Sequence, residues 1–127
     1  MIKVLIECEG KIFKAQFNES NTAKQIIDAL PIEGNANIWG DEIYFKIPVE
    51  AKLEKGSQQE VEVGELAYWP MGNAFCIFFG RTPVSTSDKP KAYSPVSVFG
   101  KLIDLDIDAL KSIKNGSKIK VKSMKDK

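Results

Sequence analysis

The sequence contains no histidine and only two cysteines, and these shortages exclude several kinds of enzyme chemistry. Without histidine, neither Ser-His nor Cys-His catalysis nor any histidine-ligated metal site is possible. Two cysteines are too few for a thiolate zinc site. Cys8 and Cys76 each lie in a strand-like run, which predicts buried, reduced thiols rather than a disulfide or a metal pair. We therefore expect neither a metal nor another cofactor.

The sequence also lacks a strong net charge, a long apolar run and a signal peptide layout. Its formal net charge is +1, so no global field favours nucleic acid or a membrane surface. The longest apolar run, Ala74–Phe79, is far shorter than the roughly 20 residues of a membrane-spanning helix. Lysines near the C-terminus alternate with apolar residues and have no interleaved aromatics, which indicates a solvated strand face. These features predict a cytoplasmic protein with no nucleic-acid or membrane partner.

What is present is typical of one β-rich domain spanning residues 1–127. The chain alternates between short β-branched or apolar runs and turn signals, and it shows no internal repeat or linker. One helix follows the second strand, where Ala23, Ile26, Ile27 and Leu30 recur at helical spacing before Pro31. A shorter helix carrying Leu110 precedes the last strand. Residues 31–37, 52–60 and 81–93 are predicted to be loops.

The count of about eight short strands with two helices favours a closed or nearly closed barrel, because closure removes exposed strand edges. Each predicted strand either alternates apolar with polar residues or is a continuous apolar run bounded by turns. They are Ile2–Cys8, Lys11–Phe17, Glu42–Ile47, Val61–Val63, Glu65–Tyr68, Ala74–Phe79, Val96–Ile103 and Ser117–Met124.

This order of elements resembles the cyclophilin barrel, and three segments are similar to cyclophilin motifs. Val98-Phe99-Gly100-Lys101-Leu102 is similar to the family's Val-Phe-Gly-Lys-Val segment. Gly64–Ala67 with Phe75-Cys76-Ile77 resembles Gly-x-Leu-x-Met-Ala followed by Gln-Phe-Phe-Ile, and Tyr44–Pro48 resembles Phe-His-Arg-x-Ile-Pro with one residue fewer. The resemblance implies a closed cyclophilin-like β-barrel.

The whole chain more closely resembles an atypical branch of that fold, a group of compact prokaryotic cyclophilin-like proteins without an established activity. The segments that carry this likeness are rich in aromatic residues and glycine. They are Trp39–Phe45, Gly64–Pro70, Ala74–Pro83 and Ser94–Gly100.

The cyclophilin resemblance implies prolyl isomerisation, but most of the implied catalytic residues are replaced. The cleft arginine corresponds to Lys46, whose ammonium lacks the planar fork of a guanidinium. The family's glutamine falls near Ala74, the pocket phenylalanine near Cys76 and the histidine at Val96, and nothing near Lys91 replaces the tryptophan. The resemblance therefore implies the fold without efficient catalysis, and no catalytic residue is assigned.

Two groups of residues are candidates for ligand binding. Arg81 is the sole arginine among 18 basic residues and, with Thr82, directly follows the apolar run, so it is a candidate donor at a cleft mouth. The alternative for Arg81 is a surface ion pair. The aromatic candidates can line a groove or, alternatively, cap the barrel ends. They are Trp39, Tyr44, Tyr68 and Trp69.

Asp41 and Glu42 are adjacent carboxylates, but neighbours on a strand point to opposite faces and so do not form an acid–base pair.

Three functions remain open at this point. The first is a domain that binds a proline-containing peptide or a small ligand in a cleft on the side of the barrel, without efficient catalysis. The second is an atypical peptidyl-prolyl isomerase that uses Arg81 or Lys46 in place of the usual arginine. The third, a small-molecule enzyme using Tyr44, Asp41 or Arg81, has no recognisable catalytic constellation to support it. We expect a monomer or a weak homodimer.

Overall fold

The computed structural model describes residues 2–124 and has a mainly β fold with two helices. The strands are β1 (Ile2–Cys8), β2 (Lys11–Phe17), β3 (Ile32–Asn35), β4 (Asn37–Ile38), β5 (Glu42–Lys46), β6 (Gln58–Glu60), β7 (Glu65–Trp69), β8 (Ala74–Phe78), β9 (Lys91–Ile103) and β10 (Lys118–Ser123). The helices are α1 (Asn21–Ala29) and α2 (Ile107–Lys111), and a short 3-10 turn spans Pro70–Gly72. Neither helix is long and apolar enough to cross a membrane.

The first hairpin and α1, within residues 2–30, fold as their local sequence predicts. Glu9 and Gly10 both have positive φ, at 55° and 76°, which suits the two-residue turn of the β1–β2 hairpin. The Ser20 hydroxyl caps α1 by accepting a hydrogen bond from the Ala23 N–H at 3.2 Å. Pro31 follows the last turn of α1, where a proline disfavours helical geometry in the residue before it.

The strands form one hydrogen-bonded sheet in the order β3-β10-β1-β2-β9-β7-β8-β5-β4, with β6 paired to β9 beside this path. The hydrogen bonds do not close the sheet, so the predicted closed barrel is not confirmed. The two end strands, β3 and β4, are consecutive pieces of chain separated by Ala36. The Ala36 N–H donates to the Ser117 carbonyl at 2.8 Å, so this segment is held against the chain that leads into β10.

The short strands β3, β4 and β6 were predicted as loops, and that prediction was wrong. Their sequences are rich in Asn, Gly and Gln and show no alternation of apolar and polar residues. They extend because neighbouring strands offer backbone partners: β3 pairs with β10, β4 with β5 and β6 with β9. The strand β9 also begins earlier than predicted, at Lys91 rather than Val96.

Alternating side chains give β8 two buried faces. Phe75 and Ile77 point into the larger core, where the Phe75 ring lies 5.0 Å from the Phe45 ring and 5.0 Å from the Phe99 ring, centre to centre. Ala74, Cys76 and Phe78 belong to a second, smaller apolar cluster. Because neighbours along a strand point to opposite faces, this second cluster lies on the other side of β8.

Tyr68 is fully buried in the larger core and connects β7 to the chain after β5. Its hydroxyl donates to the Val49 carbonyl at 2.6 Å and accepts from the Ala51 N–H at 3.3 Å. We predict that Tyr68→Phe lowers the free energy of unfolding by about 1–3 kcal/mol, because buried backbone groups lose their partner. Tyr93→Phe, at a tyrosine that is 65% exposed, serves as the control and should leave stability unchanged. Equal denaturant midpoints for the two variants would contradict this role of the Tyr68 hydroxyl.

Candidate functional site

A cavity of about 180 Å³ lies on the side of β8 that faces away from the larger core. Aromatic and aliphatic side chains from several strands and loops form most of its wall, together with one carboxyl and one thiol. The lining residues are Trp39, Glu42, Tyr44, Trp69, Cys76, Ala92, Tyr93 and Val96. A concave, mainly apolar pocket with a few polar groups is the usual form of a small-ligand site.

The floor of the cavity is set by strand register. Tyr44 on β5 and Cys76 on β8 are direct cross-strand partners, so their side chains emerge side by side. Glu42 precedes Tyr44 by two residues on the same strand and therefore shares its face. The other edge of β8 pairs with β7, where Trp69 is the cross-strand partner of Ala74. Regular antiparallel pairing alone thus brings the carboxyl, the thiol and two aromatic rings to one surface.

A tight turn between β4 and β5 positions Trp39 over Glu42. The Trp39 N–H donates to the Glu42 carbonyl at 2.9 Å, and the Glu42 N–H donates back to the Trp39 carbonyl at 3.1 Å. Gly40 in this turn has φ of +61°, and a Cβ added there would lie only 2.9 Å from the Arg81 carbonyl oxygen. Glycine is therefore required both by the backbone conformation and by the close approach of the next loop.

The loop after β8 is fastened at both ends. The Arg81 guanidinium donates to the Ser87 carbonyl at 2.9 Å and to the Ser85 carbonyl at 3.3 Å. The Thr82 hydroxyl donates to the Lys91 carbonyl, immediately before the cavity-lining Ala92. Arg81 and Thr82 thus use their polar groups to fix the loop that leads into β9.

The rim of the cavity is a row of three aromatic rings. The Tyr93 ring lies between the two tryptophans, with its centre 6.3 Å from that of Trp39 and 6.1 Å from that of Trp69, and both pairs are edge-to-face. The Trp69 indole N–H is satisfied by the Ser94 hydroxyl at 2.6 Å. Hydrogen bonds from the Gln59 amide to the carbonyls of Ala92 and Tyr93 hold this part of β9.

Glu42 is the unusual group in the cavity, since its side chain is an acid in a mainly apolar wall. The residue is only 5% exposed. Burial raises the pKa of its carboxyl from the ordinary 4.5 to about 7, and a hydrogen bond from the Cys76 thiol only partly offsets this. Burial, and then the charge of Glu42, hold the pKa of Cys76 well above its usual value. The Cys76 thiol is therefore protonated and unreactive at neutral pH.

Three of the six predicted ligand-binding residues line the cavity, namely Trp39, Tyr44 and Trp69. The other three do not: Tyr68 points into the larger core, while Arg81 and Thr82 hold the loop. The prediction that both cysteines are buried and free is confirmed.

Sequence reasoning missed Glu42 and Tyr93 as lining residues. The signal for Glu42 was its two-residue spacing from Tyr44, which was overlooked in favour of its neighbour Asp41. Tyr93 lay in a segment predicted to be irregular.

The comparisons with known proteins agree with this fold. The family model described as cyclophilin-like matches residues 1–122. This chain belongs to the cyclophilin-like family. The solution structure of a hypothetical protein from Archaeoglobus fulgidus is similar at 38% sequence identity and a TM-score of 0.80, covering 95% of this chain and 93% of that one. A search of curated proteins found no match.

Within this cyclophilin-like chain, the positions that the cyclophilin resemblance assigns to catalysis carry other groups. Cys76, near the position that the resemblance assigns to the pocket phenylalanine, and Val96, at the position it assigns to the histidine, both line the cavity. Lys46, which corresponds to the arginine, is exposed at the end of β5. In the described residues, no group of three or more Cys, Asp or Glu side chains could hold a metal ion.

The raised pKa of Glu42 predicts a specific pH dependence of stability. Because the pKa is about 7 in the folded state and near 4.5 when unfolded, the Glu42 contribution is fully present below about pH 4.5 and is lost as pH rises through 7. The difference corresponds to about 3 kcal/mol. The glutamine of Glu42→Gln does not titrate, so the variant should gain that much stability relative to wild type between pH 4 and pH 8 in denaturant unfolding.

The matched control for this measurement is Glu33→Gln, at an exposed position of β3. Its unfolding free energy should run parallel to that of the wild type across the same pH range. If the Glu42→Gln curve is parallel as well, the Glu42 carboxyl titrates normally and the proposed electrostatics of the cavity are wrong.

Proposed function

We propose that this cyclophilin-like domain is a binding module. Its ligand in the cavity beside β8 is a small organic molecule or a side chain of a proline-containing peptide. The observation that carries the proposal is the cavity itself, which combines an aromatic rim with one buried carboxyl. Its volume of about 180 Å³ matches that of a small organic group, since an apolar protein cavity of about 150 Å³ accommodates benzene.

The way the cavity is built supports binding by a preformed site. The floor of the cavity is regular sheet, and Trp39 at the rim is fixed by a tight turn. Arg81 and Thr82 fasten the loop that leads into β9. A ligand entering such a site orders few side chains on binding, which reduces the entropic cost of association. Tyr93, at the mouth, is the most exposed of the residues that line the cavity and is the side chain freest to adjust.

Efficient prolyl isomerisation is the alternative, and the site gives it little support. Isomerisation requires stabilisation of a twisted amide whose nitrogen has lost conjugation. Cyclophilins use an arginine near the prolyl nitrogen for this purpose. In the described residues no arginine or lysine lines this cavity, and the Arg81 guanidinium is engaged by loop carbonyls. The site therefore suits binding better than rate enhancement.

Binding can be tested with the two indole N–H signals in a ¹⁵N-correlated NMR spectrum, because the chain contains two tryptophans and both line the cavity. The probes are toluene and the tetrapeptide Ala-Ala-Pro-Phe. We predict that at least one probe shifts both indole signals saturably. Tyr93→Ala should weaken that binding up to about tenfold, because an aromatic contact contributes roughly 0.5–1.5 kcal/mol.

Ile12→Ala serves as the matched control, since Ile12 is 60% exposed and lies on β2, outside the cavity lining. It should leave the affinity unchanged. Failure of both probes to shift either indole signal would overturn binding of neutral apolar ligands and of proline-containing peptides in this cavity. In the same peptide sample, exchange cross-peaks between cis and trans proline report isomerisation, and acceleration above buffer would favour the isomerase instead.

A further inference from the structure

Glu42 is a buried acid without a positive partner. In the described residues, the titratable groups that line the cavity with it are Tyr44, Cys76 and Tyr93, none of which is cationic at neutral pH. Its pKa is influenced by burial and by Cys76 alone, so no nearby lysine or arginine offsets its charge. A buried carboxylate is ordinarily paired, because an isolated charge in an apolar site is strongly unfavourable. Residues 2–124 therefore supply no charge partner for this carboxyl.

Aromatic rings surround the same carboxyl. Trp39, Tyr44, Trp69 and Tyr93 all line the cavity that contains it. Tyr93 contacts both tryptophans edge-to-face, so three of the rings form a continuous rim. The faces of tryptophan and tyrosine carry negative electrostatic potential and attract cations, and aromatic cages recognise quaternary and methylated ammonium groups in this way.

We propose that the cavity binds an alkylated ammonium group, with the aromatic rings around its alkyl substituents and the Glu42 carboxylate as its counter-ion. This inference rests on the proposed binding function and specifies the chemical class of its ligand. Both halves of such a group are matched by the site: the alkyl surface by the apolar wall, and the charge by the one acid. A compact, strongly hydrated ammonium would gain less, because the indole and phenol rings cannot replace its lost water hydrogen bonds.

The inference predicts that binding is coupled to protonation. A cation binds the ionised carboxyl better than the neutral one, so ammonium affinity should rise as pH increases through about 7, the pKa of Glu42 in the free protein. Cys76 remains protonated in this range, because its pKa is raised well above the usual value.

The experiment compares choline with 3,3-dimethyl-1-butanol, its uncharged isostere, in which carbon replaces the ammonium nitrogen. Both are titrated into the full chain at pH 8.5 and pH 5.5, with the two indole signals as the readout. We expect choline to bind at least tenfold more tightly than the isostere at pH 8.5, with most of that preference lost at pH 5.5. At pH 8.5, Glu42→Gln should reduce the preference to the small, pH-independent contribution of the rings, whereas Glu33→Gln should retain the wild-type preference.

The outcomes separate this inference from the function on which it rests. If choline and its isostere bind with equal affinity to the wild type at pH 8.5, the cavity is a neutral apolar site and the inference is overturned, while the binding function stands. If toluene, the peptide, choline and the isostere all leave the indole signals unmoved, both are overturned. A choline preference at pH 8.5 that is undiminished in Glu42→Gln would assign the selectivity to the rings alone and contradict the role of the carboxylate.

Discussion

Burial of β8 on both faces is the constraint on which the rest of the structure depends. One face of the strand completes the larger core around Phe75, and the other supports a second apolar cluster that includes Cys76. A strand buried on both sides needs a covering layer over each, as in parallel sheets. Here the second cover includes Val61, which directly follows β6, and Ala92 and Val96 in the early part of β9. The cavity is the part of that second interface that side chains do not fill.

This constraint also accounts for the chemistry of the cavity. The pairing of β5 with β8 fixes which β5 residues face the second layer, and Glu42 is among them. The same covering layer that buries Cys76 removes water from the carboxyl. Among the described residues, no basic side chain lines the cavity with Glu42, and Lys46, at the far end of the same strand, is exposed. The geometry of the sheet therefore places an acid where its ionised form is unfavourable.

Much of the fold could be predicted from sequence, because local signals and long-range packing agree in most segments. The β1–β2 hairpin, α1 with its Ser20 cap and the apolar run of β8 all carry strong local patterns. The short strands β3, β4 and β6 could not be read in this way, because their extension depends on partners distant in sequence. The failure of the sheet to close through hydrogen bonds is likewise a property of pairing that no single segment encodes.

The candidate site was only half predictable for a related reason. Aromatic residues at strand ends indicated a groove, and Trp39, Tyr44 and Trp69 do line one. Tyr68 is also an aromatic residue near the end of a strand, but its side chain points into the larger core. Successive residues of a strand face opposite sides of the sheet, so Tyr68 and its neighbour Trp69 point in opposite directions. The role of Arg81 depends on loop carbonyls whose positions a sequence does not specify. Glu42 was considered only as the neighbour of Asp41, because the sequence does not show that the face it shares with Tyr44 is covered by a second apolar cluster.

The most direct measurement of the central claim is the titration of the Glu42 side chain itself. Carboxyl carbon chemical shifts can be followed by NMR from pH 3 to pH 9 in ¹³C-labelled protein, with Glu42 assigned by its absence in Glu42→Gln. The account predicts a midpoint near 7 in the free protein, set by burial without a cationic partner. A midpoint near the ordinary value of 4.5 would mean that water or a partner already stabilises the charge, and would contradict the account.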